Sequence, residues 1–131
     1  MLTRNPKRNI RTEISWEVIQ KQKYIGSANI YMNSGIYKFE NKINHLCYIG
    51  QAKNLEERKY RHYRNFINKR CDTDFYKAVY EFGIDNFDYE ILECDDYSQE
   101  ELNQLEVKYI SKYNSYYNGY NSTKGGHYIP I

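Results

Sequence analysis

The strongest constraint on the fold is the signal for an amphipathic helix in the last third of the chain. Residues 98–101 have the sequence S-Q-E-E, which matches the S-x-x-E form of a helix-starting capping box. The apolar residues that follow recur at helical spacing: Leu102, Leu105, Tyr109, Ile110 and Tyr113. They form one stripe, so this helix must bury that stripe against another element of the fold.

Glu106 interrupts the apolar stripe. At about 100° per residue, it lies near the middle of the apolar face rather than at its edge. A carboxylate in this place needs a cation, hydrogen bonds or a metal ion, because an unpaired buried charge is strongly destabilising. A salt-bridged or snorkelling glutamate at the border of the core is the simplest interpretation, and a functional role depends on the rest of the chain.

Residues 35–50 predict a β-hairpin. The β-rich runs 35–39 and 46–50 flank the polar stretch 41–44. If the loop is symmetric, Tyr37 and Tyr48 lie directly opposite each other on one face of the hairpin.

A basic helix is predicted after the hairpin. Asn54 can cap it, with Glu57 three residues later. Arg58 and His62 are one turn apart and flank the apolar face, so they point toward the sheet edge rather than into open solvent. The apolar face consists of Leu55, Tyr63, Phe66 and Ile67.

The remaining elements indicate the fold class. A second helix is predicted over 74–82, where Gly83 ends it, and a third strand follows in which Phe87, Tyr89 and Ile91 alternate with acidic residues. The order ββααβα predicts an α+β fold with a small, mainly antiparallel three-stranded sheet flanked by helices.

We assign this domain to residues 34–131. Residues 1–33 form a basic N-terminal extension, in which the first part is a polar arm and 13–18 alternate as in a short strand.

The charges are segregated although the net charge is only +2. The extension contains Arg8 and Arg11, and residues 85–106 carry nine acidic residues and no cation. A basic face suits a polyanionic partner, although a solvated helix surface gives similar runs. Seven cations lie between residues 53 and 70: Lys53, Arg58, Lys59, Arg61, Arg64, Lys69 and Arg70.

The three cysteines argue against a disulfide framework or a zinc site, because they are widely spaced and form no C-x-x-C pair. They fit a reducing cytoplasm. The sequence has no apolar run of about 18 residues and no signal-peptide pattern, so we expect no membrane partner.

Five ordered motifs resemble the GIY-YIG nuclease family. Residues 35–37 and 48–50 match the two name-giving motifs, and 54–58 with His62 resembles the family's arginine helix. Glu106 falls where the family has a metal-binding glutamate, and 118–121 is similar to its closing asparagine motif. The resemblance covers residues 34 to about 126 and is greatest to phage and intron homing-type members.

The resemblance implies a metal-dependent DNA endonuclease. Glu106 would hold one Mg²⁺ or Mn²⁺, and Arg58 would bind the scissile phosphate. Tyr37, with Tyr48 beside it, is the first choice to orient or deprotonate the attacking water. A tyrosine is a poor base at neutral pH, so a nearby cation must lower its pKa, and the candidates are Lys53, Arg58 and His62.

His62 is alternatively the proton shuttle, and Asn121 would position a loop or Glu106 by hydrogen bonds. One departure from the family is Cys71-Asp72, because some homing-type members have a second histidine there. It puts in question any mechanism that needs two histidines.

The resemblance also implies double-stranded DNA as the partner, with a possible homodimer on it, in the cytoplasm of a bacterium or a phage-infected host cell. Homing, restriction and phage competition all remain open as the role. Two other functions compete: a nucleic-acid-binding module that does not cut, and a protein-interaction domain that docks through its acidic residues.

Deletion of residues 1–11 is expected to weaken DNA binding and to flatten its dependence on salt, because the cations of the arm would contact phosphates. Single-turnover cleavage at saturating enzyme should stay nearly unchanged. Salt titrations of the full chain and the truncated chain test this prediction. Equal slopes in the two log–log plots would show that the arm contacts no phosphates.

Overall fold

The computed structural model of the protein describes residues 33–126, so Arg8, Arg11 and the strand predicted over 13–18 lie outside the described residues. Three strands form one antiparallel sheet: β1 (Ser34–Asn41), β2 (Cys47–Ala52) and β3 (Phe87–Asp95). Three helices pack with it: α1 (Leu55–Ile67), α2 (Asp74–Phe82) and α3 (Gln99–Tyr113). The predicted order ββααβα and the α+β class are confirmed.

β1 is the central strand of the sheet, and its neighbours are β2 and β3. Because side chains alternate along a strand, β1 contributes to a separate core on each face. Tyr37 and Phe39 belong to the first core, which they share with residues of α1 and α2. Ile36 belongs to the second core, where it packs with Ile49 and with apolar residues of α3. The apolar stripe of α3 is thus buried against this face of the sheet.

The hairpin register differs from the symmetric one. Tyr37 pairs with Gly50, and Tyr48 pairs with Phe39, so the expectation that the two tyrosines lie directly opposite each other is wrong. The reason lies in the loop, where His45 takes a left-handed conformation (φ 65°) and lengthens the turn. The tyrosines still share one face as diagonal neighbours, with their ring centroids 6.3 Å apart.

α1 begins as predicted and buries Leu55 and Phe66 of the predicted face, but this face differs at two positions. Asn54 caps the helix by accepting a hydrogen bond from the Glu57 backbone N–H. His62 is only 7% exposed, whereas Ile67, which we expected on the apolar face, is 69% exposed. The buried face therefore includes an imidazole in place of a terminal isoleucine, because aromatic groups on the sheet and α2 surround position 62.

β3 contains an irregularity that interrupts its alternation. Ile36 pairs with Glu93 and Tyr37 pairs with Ile91, so Leu92 is an additional residue on β3. Leu92 packs against the second core, whereas Ile91 is 43% exposed on this edge strand. The alternation that predicted the strand therefore does not predict which side chains it buries beyond the bulge.

α3 starts with the predicted capping box. The Ser98 side chain accepts from the Glu101 backbone N–H, and the Glu101 side chain accepts from the Ser98 backbone N–H. Within residues 33–126, none of the helices is both long and apolar enough to span a bilayer.

Candidate active site

A polar cleft of about 380 Å³ opens beside β2, bounded by the first half of α1 and by α3. It brings together five of the residues predicted for the site: Tyr48, Lys53, Arg58, Arg61 and Glu106. Of the other lining residues, the sequence patterns named Asn54 and Glu57 only as part of the helix start and its motif, and they did not identify Gln51, Ala52 and Gln99. Carboxylate, guanidinium, phenol and amide groups thus converge on one space.

Glu106 is held in this cleft by two N–H donors. Its Oε1 accepts a hydrogen bond from Gln51 Nε2 at 2.9 Å and another from the Gly126 backbone N–H at 3.0 Å. Gly125 and Gly126 both have positive φ, which lets the loop approach the glutamate closely. Of the simplest interpretation, the position at the border of the core holds, because Glu106 is half-buried, but within residues 33–126 amides and not cations partner this carboxylate.

The donor set of the cleft fits a hydrated divalent cation. Oε2 of Glu106 has no hydrogen-bond partner among residues 33–126, and Glu57 supplies a second carboxylate to the lining. Mg²⁺ is commonly held by one or two carboxylates while it keeps several waters. No group of three or more His, Cys, Asp or Glu side chains in the described part of the chain could form a closed metal site.

Tyr37 lies behind the cleft rather than in its lining. It is 1% exposed, and its hydroxyl is 2.6 Å from Nε2 of His62. A Cβ on Gly50 would lie 2.3 Å from the Tyr37 hydroxyl, so only glycine allows the tyrosine to pack here. The two name-giving motifs are therefore in direct contact through this tyrosine and this glycine.

The tyrosines have raised pKa values. Burial raises the pKa of Tyr37 well above its usual value, Tyr48 adds to the effect, and Arg58 only partly opposes it. Burial, followed by the charge of Glu106, raises the pKa of Tyr48 to about 12. The expectation that a nearby cation lowers the tyrosine pKa is wrong for the protein alone, because desolvation is the larger effect.

His62 is a neutral link in a buried hydrogen-bond chain. Burial, followed by the charge of Arg58, lowers the pKa of His62 to about 3. Its Nε2 contacts the Tyr37 hydroxyl, and its Nδ1 is 2.8 Å from the hydroxyl of Tyr76, which also accepts from Asn65 Nδ2. The sequence patterns missed Tyr76, because nothing local indicates that its hydroxyl reaches a histidine on another helix.

Asn121 lies at the outer edge of β2 and not in the cleft. Its Oδ1 accepts from the Ile49 backbone N–H at 2.8 Å and from Ser115 Oγ at 2.7 Å, and its Nδ2 donates to the Ile49 carbonyl at 2.8 Å. Of the two expected roles, it fits the positioning of a loop, because the side chain satisfies the edge of the strand and holds the C-terminal segment there.

Asn121→Ala is expected to lower the free energy of unfolding by about 2 kcal/mol or more, because both backbone groups of Ile49 lose their partner. Thermal and urea unfolding measure this loss. The exposed Asn118, substituted in the same way, is the matched control. An unchanged stability would show that water replaces the amide without cost.

Only part of the predicted phosphate-binding set of basic residues lines the cleft. Lys53 and Arg61 line the cleft, but Lys59 lies over the ring of Tyr89, with its Nζ 4.2 Å from the centroid. Arg70 pairs with Asp72 at 2.6 Å. Arg64 and Lys69 are exposed near the end of α1, outside the cleft lining.

Comparisons with known proteins place the chain near intron endonucleases. The family model described as GIY-YIG catalytic domain matches residues 33–121. The chain is 35% identical over 92 residues to Intron-associated endonuclease 1 of Enterobacteria phage T4, covering 69% of this chain and 37% of that protein. It is 36% identical over 85 residues to Probable intron-encoded endonuclease 1 of Neurospora crassa, covering 61% of this chain and 27% of that protein. The chain therefore spans only about a third of the length of these curated relatives.

Two solved structures share the fold over nearly their whole length. The catalytic domain of homing endonuclease I-TevI superposes with a TM-score of 0.63 and 30% identity, covering 69% of this chain and 98% of that chain. A mutant of the catalytic domain of intron endonuclease I-TevI gives a TM-score of 0.65 and 29% identity, with 72% and 97% coverage.

Proposed function

Because the chain belongs to the GIY-YIG family, we propose that it is a DNA endonuclease that hydrolyses phosphodiester bonds with Mg²⁺ or Mn²⁺ as its cofactor. The observation that carries this proposal is the convergence of Tyr48, Arg58 and Glu106 on one polar cleft. The relatives described above are named as endonucleases, which supports the same conclusion.

Glu106 and Arg58 would act on the phosphate from two sides. Glu106 would hold the cation through Oε2, and the bound cation would neutralise charge that develops on the phosphoryl oxygens. Arg58 presents a planar fork of N–H donors to the cleft, which matches two phosphate oxygens at once. These two residues therefore bind and orient the scissile group.

Tyr37 would orient the attacking water or, in its ionised form, deprotonate it, with Tyr48 beside it. Tyr48 lines the cleft, and Tyr37 lies behind it in contact with His62. An ionised Tyr37 is scarce at neutral pH because of its raised pKa. In the tautomer with its proton on Nδ1, neutral His62 accepts a hydrogen bond from the Tyr37 hydroxyl at Nε2 and donates one to the Tyr76 hydroxyl. Because its pKa is lowered to about 3, His62 would fix the direction of the Tyr37 hydroxyl rather than keep its proton.

The substrate that we propose is double-stranded DNA, bound in the cytoplasm of a bacterium or a phage-infected cell. Lys53 and Arg61 extend the positive surface of the cleft and would contact phosphates next to the scissile one. A homodimer on DNA would place two such clefts on opposite strands. Sedimentation of the protein with a duplex tests this stoichiometry.

A nicking assay on supercoiled plasmid tests the function. The protein should convert the plasmid to nicked or linear forms in Mg²⁺ or Mn²⁺, and EDTA should stop the reaction. Sequencing of the cut ends would then distinguish homing, restriction and phage competition as roles. Tight plasmid binding without any cut in either metal would contradict the endonuclease and support the non-cleaving module.

A further inference from the structure

Gln51 connects β2 to Glu106 across the cleft. It follows Gly50 directly along β2, and its Nε2 donates to Glu106 Oε1 at 2.9 Å and to Asn103 Oδ1, also at 2.9 Å. Its side-chain oxygen, Oε1, accepts a hydrogen bond from Gln99 Nε2 at 2.5 Å. Both protons of the Gln51 amide and its oxygen are therefore engaged at once.

A ring of three amides fixes the orientation of the Gln51 side chain. Gln99 Nε2 donates both to Gln51 Oε1 and to Asn103 Oδ1, which closes the ring. Rotation of the Gln51 amide by half a turn would place its oxygen against two acceptors, Asn103 Oδ1 and Glu106 Oε1. Such a flip would lose three hydrogen bonds, so the donor is held toward the carboxylate.

The fixed donor distinguishes the two oxygens of Glu106. Oε1 receives N–H groups from Gln51 and from Gly126, whereas Oε2 receives none from residues 33–126. A carboxylate oxygen with two N–H donors has little capacity left for a cation, and the other oxygen keeps all of its capacity. The N–H groups of Gln51 and Gly126 thus set the orientation of the Glu106 carboxylate in the cleft.

We propose that Gln51 is a positioning residue, which, by holding Oε1 of Glu106, presents Oε2 to the divalent cation and so sets the metal affinity of the cleft. This inference rests on the proposed function only in that Glu106 holds a cation there. It assigns to Gln51 no contact with the metal or with DNA.

The test is a titration with MnCl₂ in the absence of DNA. Metal binding is monitored by the paramagnetic broadening of backbone amide NMR signals around Glu106. Gln51→Met has nearly the same length but no donor, so its midpoint should be about tenfold higher than that of the wild type. Gln104→Met, on the exposed face of α3, is the matched control and should keep the wild-type midpoint. Glu106→Gln should remove the local broadening.

Equal midpoints for Gln51→Met and the wild type would overturn the inference, as would a wild-type protein without broadening near Glu106. If Gln51→Met does not show a cooperative unfolding transition, the titration is repeated with Gln99→Met, which removes the donor to Gln51 Oε1 and so releases the Gln51 amide. A raised Mn²⁺ midpoint for Gln99→Met supports the inference, and an unchanged midpoint overturns it. A wild type that binds Mn²⁺ at Glu106 but does not nick plasmid would contradict the proposed function alone.

Discussion

Glu106→Gln is expected to abolish metal-dependent cleavage while the fold and DNA binding survive. The new amide oxygen can keep the hydrogen bonds from Gln51 and Gly126, so the packing of α3 is preserved. An uncharged NH₂ group then stands where Oε2 was, and it cannot ligate a cation. A metal ion supplies several kcal/mol of transition-state stabilisation, so the single-turnover rate in Mg²⁺ should fall by about 10³-fold.

The matched control for this substitution is Glu100→Gln, an exposed carboxylate in the first turn of the same helix. Its rate should stay near that of the wild type, and both variants should unfold at similar temperatures. If Glu106→Gln nicks plasmid as fast as the wild type in Mg²⁺, Glu106 is not the metal ligand. A purely structural glutamate would change the thermal stability instead.

Arg58→Lys is expected to reduce the single-turnover rate by about 10²-fold or more at saturating enzyme. The ammonium keeps the charge in the cleft, but it cannot contact two phosphate oxygens with a planar fork of donors. The effect should therefore fall on the rate of cleavage and not mainly on affinity. Rapid-quench measurements on a labelled duplex give this rate directly.

Arg64→Lys serves as the control, because Arg64 is exposed on the same helix and lies outside the lining of the cleft. It should change neither the rate nor the cation dependence. A role of Arg58 as an ordinary surface charge would make the two substitutions equivalent, with changes confined to salt-dependent binding. Comparable rates for Arg58→Lys and the wild type would thus exclude direct action on the phosphate.

The elements of the fold could be predicted because their signals are local. The capping box at Ser98 closes within three residues, and the cap at Asn54 does the same. Apolar periodicity then distinguishes helix from strand, since one face of each element is buried. These features depend on short stretches of chain and need no knowledge of the tertiary structure.

The register of the hairpin could not be predicted in the same way. It depends on a left-handed residue at position 45, and histidine marks that conformation much less clearly than glycine does. The two-residue offset follows from that loop. The diagonal contact of Tyr37 and Tyr48 survives the error, because an even shift leaves side chains on the same face.

The family motifs indicated Tyr48, Arg58 and Glu106, which the cleft brings together, but not how the residues of the site are held. His62 is treated as polar by any hydrophobic pattern, yet its two ring nitrogens are satisfied by tyrosines from β1 and α2. The contact between Gln51 and Glu106 joins positions 55 residues apart in the chain. Long-range contacts of this kind have no periodic signature in the sequence.

The order in which the chain is synthesised determines when the Gly126 backbone N–H can donate its hydrogen bond to Glu106. A ribosome releases β1, β2 and α1 first, and these elements can begin to associate as they emerge. Glu106 acquires its second N–H donor only when the loop through Gly126 has left the exit tunnel. Asn121, which fastens that loop to β2, is also among the last described residues to emerge. In a nascent chain the Glu106 carboxylate is therefore incompletely oriented until this loop has left the tunnel.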